Sequence, residues 1–271
     1  MKKAIKIIAV VIALTLICGI LFFASMCLGN PISYALAYFN VHQYLQETYL
    51  NTDYKLEGVN YDFKFGQYIV YVESPSKRDE HFRVTTNGWG EILQDNYETR
   101  IKEKGNTESR LNATYMDLVR ETFPESEGYP AYMYNRLIFM DERMIDENYT
   151  PHENAYTIDD LVLNETEYFK EMGSYNGHIE LHLSLEDTSV ETLASWLLKT
   201  KKLADEKGFT FYTISVSLTR TGSYISDTDV CYFLYTDIYE DGLTERVETA
   251  IENADAYWAE MEEKTEEELG V

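Results

Sequence analysis

Cysteine is scarce in this chain of 271 residues, three in all, and the positions of the three exclude most thiol chemistry. Cys18 and Cys27 fall inside one long apolar run, so Cys231 is the one thiol beyond it. No intramolecular disulfide can staple the region after the run, and neither a zinc-type cysteine pair nor a Cys-x-x-Cys redox motif is present. Cys231, alone on an apolar strand, is expected to pack rather than react. Basic residues are also few: 23 Lys+Arg stand against 47 Asp+Glu, a net charge of −24 with histidine neutral. A protein that tracks phosphates needs a basic stripe, and the densest basic cluster beyond the amino terminus is Lys199, Lys201, Lys202 and Lys207 on one expected helix. Nucleic acid is therefore not expected as a partner. A Gly-rich phosphate loop, a Gly-x-Ser-x-Gly elbow and a His-Glu-x-x-His motif are missing as well.

What is present begins with the run itself. Residues 7–29, IIAVVIALTLICGILFFASMCLG, carry no charge; at helical rise they reach about 35 Å, enough for a hydrocarbon core of roughly 30 Å. Lys2, Lys3 and Lys6 precede the run and the next basic residue after it is Lys55. The positive-inside rule then places the amino terminus in the cytoplasm and the bulk of the chain outside. A cleaved signal peptide wants a shorter apolar region and small residues at −3 and −1. Met26 after Ala24-Ser25, and Cys27 with Gly29 as a cut-site pair, fit that poorly, so the run is read as a retained single-pass anchor in the cell membrane. An outer region of this size without disulfides must fold on its own cores, and a bacterial envelope protein is the plain reading.

Beyond the run, Asn30-Pro31 suits a helix cap and first position, with Ile32, Leu36, Phe39 and Leu45 as an apolar series; Tyr34 and Tyr38 are expected at the membrane interface. Residues 56–65 alternate, with Val59, Tyr61, Phe63 and Phe65 on one face. Gly66-Gln67 fits a two-residue turn into Tyr68, Val70 and Val72. A strand through Phe82, Val84 and Thr86 turns at Asn87-Gly88 into 91–94. Asn106 or Thr107 opens a helix bearing Leu111, Tyr115, Leu118 and Val119, closed before Pro124. The stretch PESEGYP, 124–130, reads as a boundary. After it come a strand at 132–142, a short helix at 164–172, and a strand at 178–183 with Ile179, Leu181 and Leu183 inward. Thr188 and Glu191 form a capping box for a helix through Leu197 that stops at Gly208. Strands Tyr212/Ile214/Val216/Leu218 and Val230/Tyr232/Leu234 follow, then a helix with Leu243, Val247, Ala250, Ile251, Ala254, Trp258 and Met261.

That order is α+β: a transmembrane helix followed by two small extracytoplasmic domains, the first a helix plus antiparallel meander, the second a mixed strand and helix domain. The expected division is 1–6 cytoplasmic tail, 7–29 transmembrane helix, 30–124 first domain, 125–131 linker, 132–263 second domain and 264–271 acidic tail.

With Asn30-Pro31 after the span, GNTESRL at 105–111 followed by Tyr115 and Leu118, the strand-helix-strand series 178–219 and YTDIYEDGL at 235–243, the chain resembles the YfjL-like family of membrane-anchored proteins from Gram-positive bacteria. The resemblance implies two extracytoplasmic domains and no assigned activity, and carries no catalytic residue across. The first outer domain is also similar to cystatin-type and PepSY-type surface domains, a likeness of fold alone.

Several constellations invite chemistry. His178 and His182 lie four apart, but on a strand that spacing separates them by roughly 13 Å, too far for one zinc with bonds of ~2 Å; both are read as surface histidines. His42, His81 and His152 are isolated. Residues 237–248, DIYEDGLTERVE, align with a calcium loop at Asp237, Asp241, Gly242 and Glu248, yet Tyr239 stands where an oxygen ligand is needed and Leu243 and Val247 belong to the next helix stripe. A turn with acids at a helix start explains the same residues. The carboxylate pairs Asp159-Asp160, Asp227/Asp229 and Glu240-Asp241 mean little among 47 acids without a cleft. The 23 tyrosines suit half-buried sheet positions more than a recognition face. No catalytic, cofactor-binding or metal residue and no cofactor is assigned. The expected function is a non-catalytic binding or sensory module at the membrane, the alternative an envelope hydrolase with dispersed carboxylates. The expected partners are membrane lipid at the anchor and an envelope protein or peptide with a basic face.

Overall fold

The computed structural model describes residues 2–139 and 149–254. Among these residues the fold is α+β, with an apolar N-terminal helix, α1 (Lys2–Leu28), and two four-stranded sheets; the chain divides into two compact units, Met1–Asn106 and Thr107–Val271.

In the first unit α2 (Pro31–Thr48) starts where expected: Asn30 is extended, and its side-chain oxygen accepts from the Ser33 N–H at 2.9 Å. Ala37, Val41 and Leu45, one helical turn apart, are buried. They meet an antiparallel meander of β1 (Lys55–Asp62), β2 (Gln67–Ser74), β3 (Lys77–Thr86) and β4 (Ile92–Asp95), whose Tyr68, Val70, Val72, Phe82 and Val84 are buried by strand alternation. The β1–β2 turn is longer than the two residues expected. Phe63–Gly66 all lie in it, so Phe63 and Phe65 leave the strand face and are exposed. At the other end of the sheet Tyr49, Tyr54, Phe82 and Tyr97 form an aromatic cluster. Acids accept from hydroxyls in it and beside it: Tyr49 and the neighbouring Tyr44 donate to Asp95, and Tyr54 to Glu80. Burial first, then those carboxylates, push all three phenols above their ordinary range. Packing thus accounts for many of the tyrosines.

The boundary expected at 124–130 falls inside the second unit, because the units divide in the first turn of α3 (Gly105–Thr122). The stripe Leu111, Tyr115, Val119 and Phe123 belongs to the second core. Periodicity showed an apolar face but not which core would cover it. The second sheet runs β5 (Tyr134–Leu137), β6 (Gly177–Leu185), β7 (Thr213–Arg220), β8 (Thr228–Leu234). It is not a meander. β6 and β7 are parallel, joined through α5 (Val190–Lys207), and the outer pairs are antiparallel. The strand expected at 132–142 is confined to β5 within the described residues.

Three further expectations shift. The helix expected at 164–172 starts later, as α4 (Lys170–Asn176). The α5 cap is Ser189, whose hydroxyl accepts from the Thr192 N–H, while Thr188 is buried and bonded to Asp227. In β8 Tyr232 has φ +50° and the register slips opposite Ile214/Val216, so Val230 and Phe233 face the core, not Tyr232 and Leu234. From Leu243 the chain is helical to 254 (α6), with Leu243 and Val247 buried in the same core; Trp258 and Met261 lie outside the described residues.

Candidate functional site

Alternation along β6 sends Ile179, Leu181 and Leu183 into the core and His178, Glu180 and His182 to the opposite face. Parallel register sets Thr213, Ser215 and Ser217 of β7 beside them, and Asp229 of β8 pairs with Ser217. Parallel strands are usually covered on both faces. Here the face has a closed end and an open one. At the closed end Tyr149 packs on Tyr212 and Tyr232, and His178 lies 4.8 Å from the Tyr232 ring, 1% exposed. At the open end Glu180, His182, Ser217, Asp229, Cys231 and their neighbours line a shallow depression of about 210 Å³.

Glu180 ties the two histidines together, with one oxygen 3.6 Å from His178 Nε2 and the other 3.8 Å from His182 Nε2. The bulge contributes too: Tyr232 donates its N–H to Ser215 Oγ, which lies 3.5 Å from His178 Nε2, so the hydroxyl fills the gap in the ladder. His178 Nδ1 and Thr213 Oγ1 are 2.9 Å apart. His178 is therefore not the surface histidine expected, since it is buried with the Tyr232 ring packed against it; His182 is exposed. Among the described residues no group of three or more His, Cys, Asp or Glu is placed to hold a metal ion.

Burial lowers the His178 pKa below its ordinary 6.5, outweighing the Glu180 carboxylate that raises it. The folded value being the lower, the unfolded chain binds the proton first. Stability is thus full above about pH 6.5 and falls with decreasing pH below it, with a limiting slope of about 1.4 kcal/mol per pH unit. Urea melts of the chain and of His178→Gln taken from about pH 7.5 down to about pH 5.5, across the upper end of that window, should show the slope in the first and a flatter profile in the second. Parallel profiles would mean that His178 does not titrate on unfolding.

The other constellations resolve into structural roles. In the calcium-like loop, Arg246 donates to the carbonyls of Asp237 (3.1 Å), Tyr239 (2.6 Å) and Asp241 (2.5 Å), and its guanidinium lies over the Tyr239 ring. A cation of the chain's own, bound to the backbone at the first, third and fifth positions of the loop, occupies the concave side of the turn. Asp160 accepts from the N–H and hydroxyl of Thr157, closing a turn. Asp229 accepts from Ser217 and Ser226, and Asp227 accepts from Thr188 and lies 3.6 Å from Arg220. Two members of the basic cluster are engaged as well: Lys199 sits over the Trp196 ring and donates to Glu127 O, and Lys201 sits over Tyr235 and donates to its carbonyl. Cys231 is exposed rather than packed, because it precedes the bulge on the polar face. A Ser-x-x-Lys spacing also occurs, Ser74 to Lys77, and it too is structural: Ser74 donates to Asp53, and Lys77 pairs with Glu80 at 2.9 Å.

Sequence reasoning passed over Glu180, Ser215 and Arg246. A glutamate midway between two histidines on one strand face, and a lone arginine inside an acidic loop, were the available signals.

Residues 2–97 match the model of the YfjL-like N-terminal domain, and residues 156–248 match that of the YfjL-like C-terminal domain. No curated protein and no solved structure matches the chain. The two matches cover the first sheet with its helices and most of the second sheet with the polar face, and by them the chain belongs to the YfjL-like family.

Proposed function

We propose that the chain is a membrane-anchored, extracytoplasmic binding or sensory module without catalytic function. The observation that carries this reading is the half-open polar face of the second sheet. It is organised by Glu180, His178 and Ser215 and exposed at His182, Asp229 and Cys231. Neighbouring acids in the sequence are engaged in turns and hairpins, which favours recognition over acid-base chemistry. The anchor is α1, long and apolar enough to cross a membrane. Its orientation follows from Lys2, Lys3 and Lys6 on the amino-terminal side. With those three lysines inside, the outer chain carries 20 − 47 = −27, a field that favours a protein or peptide with a basic face.

Protease added to intact protoplasts should remove a carboxy-terminal tag and spare an amino-terminal one; protection of the carboxy-terminal tag, or a mature protein starting near residue 30, refutes the topology. For the binding role, the detergent-solubilised chain and a His182→Ala/Asp229→Asn variant are incubated with envelope extract at low and high salt. A partner retained by the parent at low salt and lost by the variant supports the reading. Equal retention by both, or turnover of a wall-derived substrate by the parent, refutes it.

A further inference from the structure

The end of α1 is not a free stalk. Tyr61 donates its hydroxyl to Met26 O at 3.1 Å, Tyr34 to Leu28 O at 3.4 Å, and Tyr68 accepts from the Asn30 N–H at 3.0 Å. These contacts occupy backbone groups at the helix end and its exit, which would otherwise need solvent. Gly29, at φ +75°, turns the chain between α1 and α2, and a Cβ there would come within 2.9 Å of the Tyr61 ring. Tyr34 is half-buried, edge-on against Tyr68.

Tyr61 pairs with Tyr68, Tyr68 with Thr86, and Thr86 with Ile92. The α1 exit therefore meets the end of the sheet from which both the 63–66 loop and the 87–91 turn project. Phe63, Phe65 and Trp89 on those loops are 73%, 65% and 78% exposed. Both loops are preformed. Asp62 Oδ1 accepts from the N–H groups of Lys64 and Phe65, and Asn87 Oδ1 from those of Trp89 and Glu91. Asn40 of α2 holds the second turn by donating to Gly90 O at 3.0 Å. Exposed aromatic rings on rigid loops, beside the exit of an apolar helix, match the composition of the headgroup layer, where Trp and other amphipathic groups settle. Lys64, 5.5 Å over the Phe65 ring, can keep its ammonium in water while its stem lies along the ring.

The geometry points to a second membrane contact: Phe63, Phe65 and Trp89 insert into the headgroup and upper acyl layer of the bilayer that α1 spans, seating the first unit directly on the lipid. This rests on the anchor reading above, and the occupant is lipid because the patch lies at the helix exit.

The test uses the full chain in phosphatidylcholine vesicles whose lipids are brominated high in the acyl chain, a quencher of tryptophan. In a Trp196→Phe/Trp258→Phe background Trp89 is the sole reporter. With Trp89→Phe added, Phe63→Trp, Phe22→Trp and Leu50→Trp report in turn on the other loop, on α1 and on the far end of α2, about 27 Å from its start. Roughly twofold quenching of Trp89 and of Phe63→Trp, with Leu50→Trp unaffected, supports the proposal. Quenching of Phe22→Trp without either loop reporter refutes it and leaves the anchor intact, as would a protein partner on the patch. Equal quenching of Leu50→Trp refutes the seating, and an unquenched Phe22→Trp refutes the anchor together with the proposal.

Discussion

Removal of residues 241–271 is expected to unfold the second unit. The deletion takes Leu243 and Val247 out of a core in which they are 3% and 0% exposed. Burial of two such side chains is worth about 1.5–3 kcal/mol each, and the cavity left behind adds to the loss. The Arg246 clamp on three carbonyls goes with them. The two side chains alone come to about 3–6 kcal/mol, and with the cavity added the loss rivals the lower part of the typical domain range of about 5–15 kcal/mol, so the cooperative melt of the unit should be lost. Trp196 reads the result, since its ring sits edge-on to Tyr129 and under the Lys199 ammonium, an environment lost on unfolding. Deleting only 264–271 should leave the melt unchanged. A cooperative melt in the longer deletion would mean that α6 serves something other than this core.

Asn176→Ala is expected to destabilise the same unit by about 3–4 kcal/mol, the sum of the buried groups it orphans. Asn176 is 0% exposed. Its amide donates to Ile138 O and Tyr156 O, both at 2.8 Å, and its oxygen accepts from the Tyr156 N–H at 3.0 Å. One side chain thus satisfies three backbone groups on two segments that share no strand. Asn176→Asp separates hydrogen bonding from packing. It preserves shape but turns an acceptor toward two carbonyls, so it should be at least as damaging as alanine. Thermal unfolding of the two variants would show this order, and an aspartate variant as stable as the parent would show that the bonds carry little.

Much of the fold is readable where a local rule and a tertiary need coincide. Asn30-Pro31 opens α2, alternation marks the faces of β2, β3 and β6, and Gly208 ends α5 in the left-handed conformation. The misses arise where a pattern has two physical outlets. The Leu111–Val119 stripe could cover either core. Leu and Val alternation on β6 and β7 suits parallel and antiparallel pairing alike. Tyr232 has no glycine or asparagine to announce a positive φ. The polar face was legible residue by residue but not as a face, because the carboxylate between the two histidines matters only once all three side chains project from one side of one strand. Asn176 illustrates the limit: a polar residue at the end of a short helix looks like a cap, and only the structure brings residues 138 and 156 to it.

Arg246 has a consequence for how the protein meets its surroundings. A guanidinium tethered a few residues from the carbonyls it binds stands beside them at an effective concentration that dissolved ions do not approach, and it cannot be drawn off by a chelator. The turn from Asp237 to Asp241 is self-ligated. Its shape, and with it the entry of α6 into the core behind it, is held by the chain's own charge at a turn where Asp237, Glu240 and Asp241 crowd together.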